Sequence, residues 1–413
     1  MPARATCSRL TSLLSHREFR LLFLGQTAST IGDRIVAVAL ALYVTRIGSP
    51  TEVGLVLAAH ALPLVGFVLI GGVWADRLPR HRVMLATDAV RAALHAALAA
   101  LILGGVVQVW EIVVIEACFG TAEAFFRPAY TGLIPQTVPL EQLQPAKAAA
   151  SMVETAAGFV GPALATALVF GVGAGWAFAA DAATFVVSAA FLAPMRPERR
   201  GELPARASVV SELREGWGAV RARSWVWATI AAFAVEILCS FAPWQTLGPT
   251  VAGKVHGSRA VFGVLAAVQG AGTMAGSLIG FRWRPTHPLR AGMLLALATP
   301  AATAAFALGV PLAALVPVYL VGGAGIALFL VWWETALAER IPPHLLSRVT
   351  AYDWMGSLAL LPLGYLLAGP LAVALGARSV LLAGTAIAFT ALLSSLAVPG
   401  VRRLRRSAPA ASA

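Results

Sequence analysis

Charge is scarce in this sequence. Of its 413 residues only 12% are Asp, Glu, Lys or Arg, about half the roughly 25% usual in soluble domains. Acid is scarcer than base, 19 Asp and Glu against 31 Lys and Arg. Cysteine is nearly absent: Cys7, Cys118 and Cys239 stand singly, with no C-x-x-C pair and no metal-ligand spacing. Cys118 and Cys239 fall inside apolar runs, where a small polarizable packing residue is expected. The seven histidines are dispersed. There is no G-x-S-x-G elbow, no P-loop, no H-E-x-x-H and no polar tract large enough for a nucleotide-binding domain, which argues against direct ATP drive and against a membrane enzyme.

What the chain has instead is apolar surface. Hydrophobic residues make up 59% of it and the mean hydropathy is +0.79. A soluble fold of this length cannot hide so much apolar area behind a polar exterior. A soluble enzyme, a disordered chain and a nucleic-acid-binding module are therefore excluded, and the solvent for most of the chain is lipid. The net charge of +12 then reads as basic loops on one side of a membrane, with no nucleic acid as partner.

A bilayer-spanning helix needs about 20 mostly apolar residues. Twelve such runs are present, approximately 19–44, 53–74, 83–104, 109–126, 148–171, 176–194, 225–247, 260–281, 291–310, 313–337, 349–373 and 379–398. They are separated by turn residues such as Gly48-Ser49-Pro50, Gly173-Ala174-Gly175 and Gly309-Val310-Pro311. With the N-terminus inside, 25 of the 31 basic residues fall in inner loops and tails, whereas only Arg46, Lys254, Arg259 and Arg378 fall outside and Arg34 and Arg91 lie within spans. A one-span error would scramble this asymmetry, so it supports an all-α membrane protein of twelve helices with both termini cytoplasmic. The expected division is a tail over 1–18, a six-helix bundle over 19–194, a cytoplasmic loop over 195–224, a second six-helix bundle over 225–398 and a basic tail over 399–413. Part of the central loop, 211–221, has the pattern of a short amphipathic helix on the membrane surface. Gly54-Leu-Val-Leu-Ala-Ala and Gly263-Val-Leu-Ala-Ala open the second and eighth spans, an echo expected of a parallel internal repeat.

Between the second and third spans stands Gly72-Val-Trp-Ala-Asp76-Arg77-Leu-Pro-Arg80-His81-Arg82. It resembles the G-x-x-x-D-R-x-G-R-R signature of the major facilitator superfamily, in the loop where that family carries it, with Pro79 in place of the usual glycine. Gly72 allows a close helix approach, and Asp76 can accept charge-assisted hydrogen bonds or sit at a helix N-terminus. By resemblance that terminus belongs to the eleventh span, beginning near Arg348-Val349, and Gly72, Asp76, Arg77, Arg80 and Arg82 form a conformational switch. Gly158, Gly161 and Pro162 in the fifth span look like the glycine-proline kink motif of proton-driven exporters in that superfamily, though the later glycines are replaced by Ala165 and Thr166. Local strings including Ile31-Gly32-Asp33-Arg34 and Phe126-Arg127-Pro128-Ala129 resemble the branch holding macrolide-efflux and enterobactin-exporter-like proteins.

Ionisable residues within spans are costly and mark substrate or ion pathways. Asp33, about halfway along the first span beside Arg34, is the first candidate for a proton- or cation-binding carboxylate; a structural pair with Arg34 or another base is the alternative. Glu116 and Glu236, near the middles of the fourth and seventh spans, either serve the cavity or hydrogen-bond to neighbouring helices. Asp88, Arg91, Glu123, Arg127 and Glu154 read as an inner-gate charge network, and Asp181 as a packing or capping residue. The resemblance implies a secondary active transporter working by alternating access, most simply a proton-coupled exporter of hydrophobic or amphipathic molecules. An importer of the same fold and a non-transporting scaffold are the alternatives. The expected partners are a small-molecule substrate, protons and the lipid bilayer, for a monomeric chain without cofactor or metal. The preference for arginine over lysine and the abundance of alanine suggest a bacterium with a GC-rich genome, and hence its inner membrane.

Overall fold

The structure is a computed structural model and describes residues 12–197, 209–280 and 282–405. The side chain of Asp76 and the surroundings of Gly72 lie outside what it describes. By internal contacts the chain divides into two compact units, Met1–Glu202 and Leu203–Ala413. Every described regular element is helical.

Unit one consists of α1 (Arg17–Ile47), α2 (Pro50–Arg77), α3 (Arg80–Leu103), α4 (Val109–Leu133), α5 (Leu143–Gly171) and α6 (Ala174–Leu192). Local chemistry sets the boundaries. Ser49 caps α2 in a reciprocal capping box with Glu52, and Pro50 takes the first helical position, where its missing N–H is no loss. Gly105 and Gly173 turn the chain with positive φ, 70° and 108°, a conformation that side chains resist.

Unit two begins with α7 (Val209–Arg221), followed by α8 (Ser224–Glu236), a π-helical turn over Ile237–Phe241, and α9 (Ala242–Val255). Then come α10 (Ala260–Gly280), α11 (Pro288–Ala296), α12 (Ala298–Leu308), α13 (Leu312–Arg340), α14 (Pro343–Leu358), α15 (Leu361–Leu375), α16 (Ala377–Ser395) and the short α17 (Pro399–Arg403). Three expected spans are thus broken helices. Pro243, Pro300 and Pro362 lie just beyond the three irregularities. Each lacks the N–H that would continue the i→i−4 ladder. The amphipathic segment expected over 211–221 is α7, and it is not an isolated surface helix. Ala219 and Val220 join a buried apolar cluster, Gly216 packs on Arg348 and Tyr352 of α14, and Glu215 forms an ion pair with Arg348.

Among the described residues, eleven stretches are long and apolar enough to cross a membrane. The remaining expected span, the fourth, is α4, 25 residues long, about 38 Å at 1.5 Å per residue. It carries Glu111, Glu116, Glu123 and Arg127, too many charges for composition alone to mark it as a span. The same helix pairs recur in each unit: α2 lies on α4 as α10 lies on α13, and α1 on α6 as α8 on α16. The first of these pairs is built on glycine in both units. A Cβ at Gly120 would lie 2.0 Å from the His60 carbonyl oxygen, and one at Gly323 would lie 2.0 Å from that of Gln269. Backbones touch there as they do in tightly packed membrane helices, which gives the expected internal repeat a structural counterpart.

Candidate functional site

The polar residues of unit one gather on the inner faces of α1, α2, α3, α4 and α6. On α3, Asp88, Arg91 and His95 follow at i, i+3 and i+7, one helix face, and all three are buried. On α6 the same spacing aligns Asp181, Thr184 and Ser188, and on α4 Glu116 and Glu123 lie two turns apart.

Two networks result. In the first, Arg91 pairs with Asp88, and the Ser188 hydroxyl donates to Asp88 Oδ2 at 2.6 Å. Gln26 of α1 donates to Ser188 at 2.9 Å. The guanidinium lies between the rings of Phe126 and Phe185, 3.9 and 4.4 Å from their centroids, so a cation is held where water is excluded. Asp33 Oδ1 stands 3.9 Å from the same guanidinium, with 39% of its side chain exposed.

The second network runs through two imidazoles. His60 of α2 has Nδ1 at 3.1 Å from Glu116 Oε2 and Nε2 at 3.0 Å from Glu123 Oε2. Glu123 in turn pairs with Arg127 at 2.6 Å. His95 has Nδ1 on Asp181 Oδ2, and its Nε2 faces Glu116 Oε1 at 3.6 Å. Both atoms of that last contact are buried without a hydrogen-bond partner. His95 stacks on Phe119, centroids 4.1 Å apart and planes within 8°. Among the described residues no group of three His, Cys, Asp or Glu is arranged to hold a metal ion.

Unit two contrasts with this. Among its described residues the buried carboxylate is Glu236, whose Oε1 has no hydrogen-bond partner. It lines a cavity of about 10 Å³ with Ser240, Gln269, Thr303 and Tyr319, room for one water. The π-helical turn starts immediately after Glu236, and the hydroxyl of Ser240 within it is also unpartnered.

The structure therefore gathers Asp33, Asp88, Arg91, Glu116 and Glu123 among the helices of unit one, with the exposed Arg127 paired to Glu123, whereas Glu236 belongs to unit two. Arg34 is exposed, and no ion pair with Asp33 is shown; the contact of Asp33 is Arg91. Glu154 is exposed on α5. Arg80 donates to the Gly132 carbonyl at the end of α4, while Arg77 and Arg82 are exposed. Gly161 packs against Arg34, where a Cβ would lie 2.3 Å from the arginine Cβ, whereas Gly158 faces open space and Pro162 is buried. Sequence reasoning missed His60, His95 and the central place of Asp181. The available signal was the periodicity: polar residues at i, i+3/i+4 and i+7 within otherwise apolar helices.

The model of the family described as transmembrane secretion effectors, within the major facilitator superfamily, matches residues 8–410. The chain belongs to that family. This transporter is similar to the MFS-type transporter YfiS of Bacillus subtilis, 26% identical over 173 residues, 41% of this chain and 40% of YfiS. It is also similar to macrolide efflux protein A of Streptococcus pyogenes, 27% identical over 152 residues, 37% of this chain and 38% of that protein. The matched stretches thus span about two fifths of each relative. Among solved structures, a bacterial homologue of the human lysosomal transporter Spinster superposes with a TM-score of 0.74 at 17% identity, covering 96% of this chain and 99% of that one. The nucleoside transporter NupG gives 0.69 at 13% identity, covering 94% and 99%. These likenesses establish the fold.

In this transporter the α2–α4 contact holds His60 against Glu116 and Glu123. Gly120→Ala should push the helices apart and cost about 1–3 kcal/mol, as overpacking does. Gly66→Ala on α2, where nothing lies within 4 Å, should be neutral or stabilising by up to about 1 kcal/mol. Thermal unfolding of the purified variants checks both; equal melting temperatures would mean that the glycine contact does not set the helix spacing.

Proposed function

We propose that this transporter is a proton-coupled exporter of hydrophobic or amphipathic small molecules, of the drug, macrolide or siderophore kind, working by alternating access in the cell membrane of a bacterium. The polar core of unit one supports the reading most. Five carboxylates, Asp33, Asp88, Glu116, Glu123 and Asp181, face two guanidiniums, Arg91 and Arg127, and two imidazoles. Uncompensated charge is costly within a bilayer, so the surplus of acid favours protons as the balancing cations. The secretion-effector family supports export, and the macrolide-efflux relative supports the substrate class.

In this reading Asp33, beside Arg34, carries the coupling proton or contacts a cationic substrate. Glu116 and Glu236 are the other proton-coupling candidates. Gly72, Asp76, Arg77, Arg80 and Arg82 form the conformational switch. Asp88, Arg91, Glu123, Arg127 and Glu154 form an inner charge network, and Gly158, Gly161 and Pro162 bend the fifth span. The test is a transport screen in cells carrying the protein, with fluorescent drugs and macrolides, with and without a protonophore. At least one compound should be retained less by these cells, and the protonophore should abolish the difference. Uptake in place of loss overturns the direction, and export indifferent to the protonophore overturns the coupling.

A further inference from the structure

We propose that the relay Glu123–His60–Glu116–His95–Asp181 is the binding site and internal path of the coupling proton, with Glu116 shared between the two imidazoles; this rests on the proton-coupled reading above.

The geometry carries the argument. An imidazole has two ring nitrogens and can accept a proton at one while giving up the proton on the other. His60 joins Glu123 to Glu116 in that manner, with contacts of 3.0 and 3.1 Å. His95 extends the line from Glu116 to Asp181. The two ends differ in access. The His60 side chain is 28% exposed, whereas His95 and Asp181 are buried. One contact is open: His95 Nε2 and Glu116 Oε1, both buried and unpartnered, face each other at 3.6 Å. Orphaned polar atoms in a membrane interior are expensive, and a shift of a few tenths of an ångström, with a proton on either atom, pairs them.

The transfer balances without any other reactant. A proton accepted at His60 Nε2 releases the one on Nδ1 to Glu116 Oε2. With Glu116 starting as the acid, protonated on Oε1, that proton passes to His95 Nε2 as Oε2 takes the one from His60, and His95 Nδ1 releases its own to Asp181 Oδ2. The buried end bears on α1. A Cβ at Gly32 would lie 2.1 Å from Asp181 Oδ1 and 2.4 Å from Thr184 Oγ1. Asp33 is the next residue, so proton arrival at Asp181 is felt beside the carboxylate assigned to coupling or substrate. The other charged groups facing the relay are Asp33 on α1, Asp88 and Arg91 on α3, and Arg127 on α4; Glu154 on α5 is exposed.

The test has two arms. In the first, the full chain with isotope-labelled histidine is titrated by NMR in lipid nanodiscs, with signals assigned by His60→Gln and His95→Gln. Because both rings share Glu116, their signals should move through common steps. Glu116→Gln should uncouple them and move each midpoint by more than about one pH unit. Independent titration, indifferent to Glu116→Gln, overturns the relay. In the second arm, proteoliposomes with an imposed pH gradient take labelled erythromycin as the probe. His95→Gln and Glu116→Gln should each reduce gradient-driven accumulation by roughly a hundredfold or more, the scale of a lost proton-transfer group, while movement down the drug's own gradient persists. Gradient-driven accumulation that survives in both variants overturns the relay and leaves the exporter reading standing. Loss of downhill movement as well marks a structural role and also overturns it. A wild-type protein that moves the drug without regard to the pH gradient sinks the coupled reading, and the relay with it.

Discussion

Replacing Arg91 by methionine should destabilise the transporter by about 3–5 kcal/mol, the usual result of removing one partner from a buried ion pair. The side chains of Arg91 and Asp88 are 1% and 0% exposed. Without the guanidinium, the Asp88 carboxylate keeps only the hydroxyl of Ser188, itself held by Gln26. Such side-chain hydrogen bonds in membrane proteins are worth about 0.6 kcal/mol on average and up to about 1.7, too little to replace a paired charge. The contacts with Phe126 and Phe185 add about 2 kcal/mol when desolvated. The double variant Asp88→Asn with Arg91→Met removes the stranded charge and retains an amide that Ser188 can serve. It should recover about 2–3 kcal/mol of the loss, the upper range for residues in direct contact. Denaturant unfolding of wild type, both single variants and the double variant in mixed micelles measures this directly. A double variant as unstable as Arg91→Met alone would place the loss in the aromatic packing and not in the unpaired carboxylate.

The same residues show why the fold was more legible than the site. Spans are written along the chain as runs of apolar side chains bounded by Ser49-Pro50, Gly173 and Gly309, and these boundaries are local events. The one span that composition hides, α4, carries Glu116 and Glu123, which are covered within the unit, and Arg127, which is exposed. Broken helices were harder: Pro243, Pro300 and Pro362 signal an interruption, but neighbouring helices decide whether it becomes a π turn or a short gap. The site was legible only in part. Asp33, Glu116 and the acid–base pairs on α3 and α4 stand out as charges in apolar runs. Their partners do not, because His60 meets Glu116 across 56 positions and His95 meets Asp181 across 86. Counted along the chain, the histidines are scattered; wound on helices, two of them face one carboxylate. The local neighbour Arg34 is not the partner of Asp33; Arg91, another base, is. Adjacent residues diverge by about 100° around a helix, so Arg34 packs on Gly161 while Asp33 turns toward Arg91.

Asp33→Asn should abolish gradient-driven export while leaving an inserted, folded protein. The substitution keeps the shape and the hydrogen-bonding capacity and removes one negative charge. Stability should change little, because at 39% exposure and 3.9 Å from the guanidinium the carboxylate is a loose partner for Arg91. The tight partner, Asp88, remains, and a half-exposed ion pair is worth about 0–1 kcal/mol. Transport is a different matter. A carboxylate that carries the proton cannot be replaced by an amide, which binds none, and one that contacts a cationic substrate loses its charge–charge attraction. The two roles separate in the readout. If Asp33 carries the proton, Asp33→Asn should still move labelled erythromycin down its own gradient in proteoliposomes but show no dependence on an imposed pH gradient. If it contacts a cationic substrate, the variant should lose affinity for cationic probes and retain it for neutral ones, with the pH dependence intact. A cationic substrate that covers Asp33 turns it into a buried charged partner, whose removal weakens binding by about 2–5 kcal/mol, a thirtyfold or larger change on the scale of roughly 1.4 kcal/mol per tenfold. Wild-type pH dependence together with wild-type affinity for both kinds of probe would remove Asp33 from the mechanism and leave the titratable core of α2, α3, α4 and α6 to account for coupling without α1.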